Sequence, residues 1–264
     1  RGGAGMIRFL VAAIFTVLAG TASAQNEALR QETLEIGTST NQIAITSDFS
    51  GADLTVFGAI NDADPMLLSR GGYDVVVILE GPKAEADIRR KERVLGIWVN
   101  RQTITFEHVP RSYSISSTRP LGEIATPQAL SSEGLGVEHL RISPVGYFDA
   151  SDVATFRAAM LRLNAADALY ENEPDGVKFV SNSLFRASLR LSVNIPQGIH
   201  TVQAYLFKNG QQIDRQALPL NVVKTGFGAQ ITTAAHEYAV LYGLTAVLIA
   251  LFSGWLASVI FRKN

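Results

Sequence analysis

A chain of 264 residues with 23 basic and 24 acidic side chains has a formal net charge of −1 and contains no cysteine. That balance lacks the basic footprint on which nucleic-acid binding depends. The missing thiol excludes disulfides, thiolate metal sites, thiol nucleophiles and haem attachment through cysteine pairs.

Residues 1–5, RGGAG, precede Met6, which reads as the initiator, and are set aside from fold reasoning. After Met6 come one basic residue, Arg8, the apolar run FLVAAIFTVLAG and the small residues Ala22-Ser23-Ala24. This is the pattern of a secretory signal peptide over 1–24, cleaved before Gln25. A second membrane anchor is the competing reading, but the run is short for one and stops at small and polar residues. Four of the 23 basic residues (Arg1, Arg8, Arg262 and Lys263) lie outside 25–237, while all 24 acidic residues lie within it, so the exported part carries about −5.

Residues 25–120 open with a polar lead, QNEALRQETL, and then turn to short apolar or alternating runs: LEIGT, NQIAITSDF, ADLTVFGAI, YDVVVILEG, DIRRKERVLGIWVN, QTITFEHVP and SYSISST. Runs of this length, broken by Gly, Asn, Asp and Ser, predict an immunoglobulin-like antiparallel sandwich. Strand alternation places Ile43, Ile45, Leu54, Val56 and Trp98 in its core. A ligand platform is the alternative for Trp98.

A helical insertion is expected over 121–176. Its main helix lies in SDVATFRAAMLRLNAADALYENE, capped by Ser151 or Asp152, with Val153, Phe156, Met160, Leu161, Leu163 and Leu169 on the apolar face. Pro174 and Gly176 stop it. Strands resume over 177–228, with alternation from Leu184 to Val193 and from Val202 to Phe207, and Asn209-Gly210 is a strong hairpin turn. IPQGIHTVQAYLF resembles the Pro-x-Gly-x-aromatic entry to a late strand of bacterial immunoglobulin-like domains, with His200 in place of the aromatic. These strands either complete the first sandwich or form a membrane-proximal β-subdomain, which is the expectation.

From Tyr238 to Phe261 no residue is charged. A helix over 238–261 is long enough for a bilayer core of roughly 30 Å. Tyr238, Tyr242 and Trp255 suit the interfaces, and Arg262-Lys263 leave 262–264 as a cytoplasmic tail. The mainly β body is then periplasmic, on a single-pass anchor in a bacterial inner membrane.

The four histidines, His108, His139, His200 and His236, are not spaced as metal ligands. No nucleophile elbow or phosphate-cradling loop follows a strand. The expectation is a protein without a reaction, a cofactor or a resident metal. Arg89, Arg90, Lys91 and Arg93 form a compact basic run that could receive a small anion or anionic headgroups, though a solvated hairpin edge explains it too. Ala246, Ala250, Gly254 and Ser258 recur every fourth residue, a stripe of small side chains that lets another helix approach. His236 and Glu237 stand just outside the membrane, where a partner's loop could meet both.

The stretches VFGAI, DVVVILEGP, RKERVLGIWVN, VPRSYSISST and HEYAVLYGL, together with the signal peptide, resemble a family of uncharacterised transmembrane proteins of alphaproteobacteria. The resemblance implies an accessory role, because the family is associated with sulfite-exporter-type (TauE/SafE) permeases. The expected function is therefore a non-enzymatic membrane-anchored accessory protein, partnered by an integral membrane protein and the lipid bilayer. The alternative is a tethered binding or sensor module for a small ligand such as a sulfur oxyanion. A reporter active only in the cytoplasm tests the topology: fused after Asn264 it should be active, and fused after Val223 silent, and the reverse pattern contradicts it.

Overall fold

The computed structural model describes residues 32–225 and 235–261. The expected signal peptide and the tail with Arg262 and Lys263 lie outside the described residues. In chain order the strands are β1 (Thr33–Thr38), β2 (Gln42–Ile45), β3 (Ala52–Asn61), β4 (Tyr73–Glu80), β5 (Lys83–Val94), β6 (Ile97–Pro110) and β7 (Tyr113–Ser117). They continue with β8 (Ser143–Pro144), β9 (Tyr170–Glu173), β10 (Val177–Phe179), β11 (Leu184–Leu191), β12 (Gly198–Lys208) and β13 (Gln211–Lys224). The helices are α1 (Pro65–Ser69), α2 (Leu121–Ile124), α3 (Pro127–Glu133), α4 (Ala150–Ala166) and α5 (Ala239–Phe261). The protein is mainly β, with largely antiparallel sheets and one C-terminal apolar helix.

The sequence of β4, YDVVVILE, is a nearly unbroken β-branched and apolar run, which suits a strand covered on both faces. Tyr73 through Leu79 are all buried. Side chains alternate along a strand, so Tyr73, Val75, Val77 and Leu79 enter one core while Val76 and Ile78 enter another.

The first core lies between a four-stranded sheet, ordered β1-β3-β11-β10, and a six-stranded sheet, ordered β2-β13-β12-β4-β7-β9. Leu54 and Val56 of β3 and Phe185, Ala187 and Leu189 of β11 meet Val202, Ala204 and Leu206 of β12. Gly58 is required here: a Cβ would come 2.2 Å from the Phe185 ring. The second core lies on the other face of the six-stranded sheet, where Val76, Ile78, Ile115, Tyr205 and Phe207 receive Ile104 and Phe106 of β6 and Phe156, Met160 and Leu161 of α4. β5, β6 and β8 form a third sheet.

Several sequence expectations change. The late strands do not form a subdomain of their own: β11 pairs with β3, β12 with β4, and β13 in parallel with β2. The early strands have free edges and half-covered apolar faces that the late strands complete. The expected boundary at 120 is also crossed, because β5 and β6 pack with α4 on the second core rather than in the sandwich. DIRRKERVLGIWVN is not one strand but turns at Leu95-Gly96, and IWVN continues into β6. Ile43, Leu54 and Val56 are buried and Ile45 packs against them, whereas Trp98 is 65% exposed and is not a core residue.

The main insertion helix starts after Asp149, whose side chain makes no capping bond, and ends at Ala166. Its Leu163 is exposed, and Tyr170–Glu173 leave the helical pattern to pair in parallel with β7. Burial of Tyr170, with its hydroxyl donating to the Pro110 carbonyl at 2.6 Å, outweighs the helix propensity of the preceding alanines.

Candidate functional site

The β5–β6 hairpin is the most distinctive surface feature. Its inner half is anchored: Ile104 and Phe106 are buried, Ile88 packs beside them, Gln102 Nε2 donates to Asp152 of α4 at 3.0 Å, and the Arg90 guanidinium lies 5.7 Å from the Phe156 ring centre. Beyond Arg90 and Gln102 the strands continue through the pairs Lys91↔Asn100, Glu92↔Val99, Arg93↔Trp98 and Val94↔Ile97. At about 3.4 Å per residue this outer part extends by roughly 14 Å. Val94, Leu95, Ile97, Trp98 and Val99 are all exposed there, Leu95 by 99%.

Arg89, Arg90, Lys91 and Arg93, singled out from sequence, lie together on β5 with their side chains outside the cores. Arg89 pairs with Asp87 at 3.2 Å. Glu92 is held by Arg90 at 3.4 Å and by Arg101 at 3.3 Å. Arg101 escaped the sequence reading because it reaches this cluster only through the hairpin register. The Arg93 Nε donates to the Gly96 carbonyl at 3.3 Å.

A mixed-charge cavity of about 190 Å³ opens beside the second core, lined among others by Glu80, Lys83, Glu133, Arg141 and Arg215. Lys83 pairs with Glu80 at 3.0 Å and Arg215 lies 3.9 Å from Glu133, so much of its charge is neutralised internally.

The histidines do not converge. His108 is exposed, 3.9 Å from Glu107, and His139 bonds Ser131 at 2.9 Å. His236 and Glu237 are exposed just before α5. His200, which stands in place of the aromatic of the Pro-x-Gly-x-aromatic pattern, is fully buried at the start of β12. With Nδ1 donating to the Gly198 carbonyl at 3.3 Å, Nε2 accepts from the Ser112 hydroxyl at 3.1 Å. Gly81 is needed beside them, since a Cβ would approach Ser112 Oγ to 2.3 Å.

The stripe Ala246, Ala250, Gly254 and Ser258 is exposed along α5, and a Cβ at Gly254 would meet nothing. The Thr245 and Ser253 hydroxyls donate back to the Leu241 and Ile249 carbonyls at 2.8 Å, which satisfies them within an apolar span. Ala239–Ile260 is long and apolar enough to cross a membrane, and none of it is covered by the rest of the chain.

Burial holds the His200 imidazole below its ordinary pKa. The unfolded chain therefore binds more protons at His200 below a pH of about 6.5. Stability should fall as pH drops from there towards the lower folded value, and be insensitive to this group above it. Thermal unfolding of the full chain in detergent between pH 7.5 and 5 checks this: His200→Gln should lower Tm at the neutral end but flatten the acid slope. Equal slopes in the two proteins contradict the assignment.

Residues 33–263 match the model of the family described as "Putative transmembrane protein (Alph_Pro_TM)". No curated protein matches. Among solved structures, a family 123 glycoside hydrolase from Clostridium perfringens is similar over 73% of this chain and 27% of its own length, at 8% identity and a TM-score of 0.22. So weak a likeness carries no argument about fold or activity. The chain belongs to the Alph_Pro_TM transmembrane family and is a membrane-anchored protein with one candidate C-terminal span.

Proposed function

From that membership we propose that the chain is a non-enzymatic accessory protein, anchored by α5 in a bacterial inner membrane with its β body in the periplasm and its C-terminus in the cytoplasm. The observation that carries this reading is the recurrence of Ala246, Ala250, Gly254 and Ser258 every fourth residue along one face of a wholly uncovered apolar helix. Lipid tails match the apolar side chains on every face of such a helix, but close backbone approach along one stripe gains packing contacts only from another helix. The partner is an integral membrane protein, and a sulfite-exporter-type permease is the class that the family resemblance implies.

The strand order supports an immunoglobulin-like body. β1-β3-β11-β10 facing β13-β12-β4 repeats the ABED and GFC orders of that fold, with residues 81–176 inserted between its third and fourth strands. A tethered module for a small anion is the second reading, favoured by Arg141 in the mixed-charge cavity, which lies outside the Lys83–Glu80 and Arg215–Glu133 pairs.

Gly254→Leu and Ala250→Leu keep the span apolar, so both variants should remain in the membrane. Each should lose most of the membrane protein that co-purifies with the wild-type chain in mild detergent, while Leu248→Ala, off the stripe, retains it. Wild-type recovery of the partner by both stripe variants makes α5 a plain tether and moves the binding-module reading ahead.

A further inference from the structure

We propose that the β5–β6 hairpin is a membrane-inserting arm, whose apolar tip enters the interfacial layer of a bilayer while its basic stem binds anionic lipid headgroups. The first ground is its turn. Leu95 and Gly96 have φ of +50° and +87°, and Asn209 and Gly210, in the two-residue turn between β12 and β13, have φ of +50° and +84°. The two turns share a left-handed pair of residues, for which asparagine followed by glycine is well suited. A leucine there is strained by its Cβ and here lies 99% in water. The fold gains nothing from it; β12–β13 makes the same turn with asparagine.

The second ground is the distribution of side chains. Val94, Leu95, Ile97, Trp98 and Val99 form a continuous exposed apolar tip. From Arg93 to Arg101 there is no acidic residue. Behind the tip stand Arg89, Arg90, Lys91, Arg93 and Arg101, with Glu92 already neutralised by two of them. A tip of Trp and branched aliphatics followed by long basic side chains is matched to the layered chemistry of a bilayer surface: ring and aliphatic groups reach the acyl boundary, and Arg and Lys stems extend towards phosphates. A protein partner would need its own apolar pocket ringed with acids.

The third ground is proximity. β13 ends at Lys224 and α5 begins at Ala239. The 14 residues between them span at most roughly 50 Å when fully extended. The anchor thus keeps the body near a bilayer at high effective concentration, so even a weak insertion is populated. This inference does not rest on the accessory-protein reading, since lipid alone is the occupant.

The test uses the full chain with Trp255→Phe, which leaves Trp98 as the sole tryptophan. The protein is reconstituted in phosphatidylcholine vesicles with or without about one third phosphatidylglycerol. In the anionic vesicles Trp98 emission should move to the blue and be quenched by lipids brominated near the top of their acyl chains. Lys91→Glu with Arg93→Glu should cut that quenching several-fold. Leu95→Asn should also reduce it, while raising Tm by about 2 °C because the turn is relieved. Trp98 emission that stays water-like and unquenched in both lipids overturns the proposal and leaves a protein as the tip's partner. Equal quenching in neutral and anionic vesicles overturns the role of the basic stem. Since the vesicles hold no other protein, neither result depends on the partner of α5.

Discussion

The double burial of β4 is the constraint on which the rest of the body depends. One face of this strand closes the sandwich with β12 and the facing sheet, while the other is the floor on which β6, α4 and the intervening loops pack. A strand with apolar side chains on both faces cannot be left with one face in water, so the inserted segment is a structural necessity as well as a platform. The hairpin projects from that platform, with buried Ile104 and Phe106 at its base and exposed Trp98 towards its end.

Polar groups carried into these layers are provided for individually. Asp74, 5% exposed, accepts from Thr118 Oγ1 at 2.8 Å and from the Arg119 guanidinium through two nitrogens. This planar, bidentate pairing offsets the cost of a buried carboxylate. The serines of β7 follow the same rule. Ser116 Oγ donates to the Ser188 carbonyl at 2.6 Å and Ser117 Oγ to the Arg119 carbonyl at 2.7 Å, and Gly176 leaves room for Ser116, since a Cβ there would come 2.4 Å from its Oγ. Among the described residues, no buried side-chain nitrogen or oxygen is left without a partner.

Local patterns were readable in the sequence wherever one effect dominates. The run in YDVVVIL, the Asn209-Gly210 turn and the uncharged span each carry their own explanation. What could not be read is where distant segments meet. The pairing of β11 with β3 and of β12 with β4 depends on covering exposed strand edges across more than a hundred residues, which no local pattern encodes. Trp98 misled for a related reason: alternation identifies a strand but cannot say whether the strand stays over a core or runs past its edge. Leu95-Gly96 was hidden because leucine is a poor turn residue. The basic run was visible from composition alone, but its place behind an apolar tip emerged only from the hairpin register.

The central claim, that both cores are built on one strand and stand or fall together, is tested most directly by native-state hydrogen exchange of the full chain. β4 amides should exchange only through global opening. Val76→Ala, facing the second core, and Val77→Ala, facing the sandwich, should each speed exchange in β4, β11 and α4 by a common factor. If Val76→Ala speeds exchange in α4 and β6 while β11 keeps its wild-type protection, the insertion is an independent unit and the account is wrong.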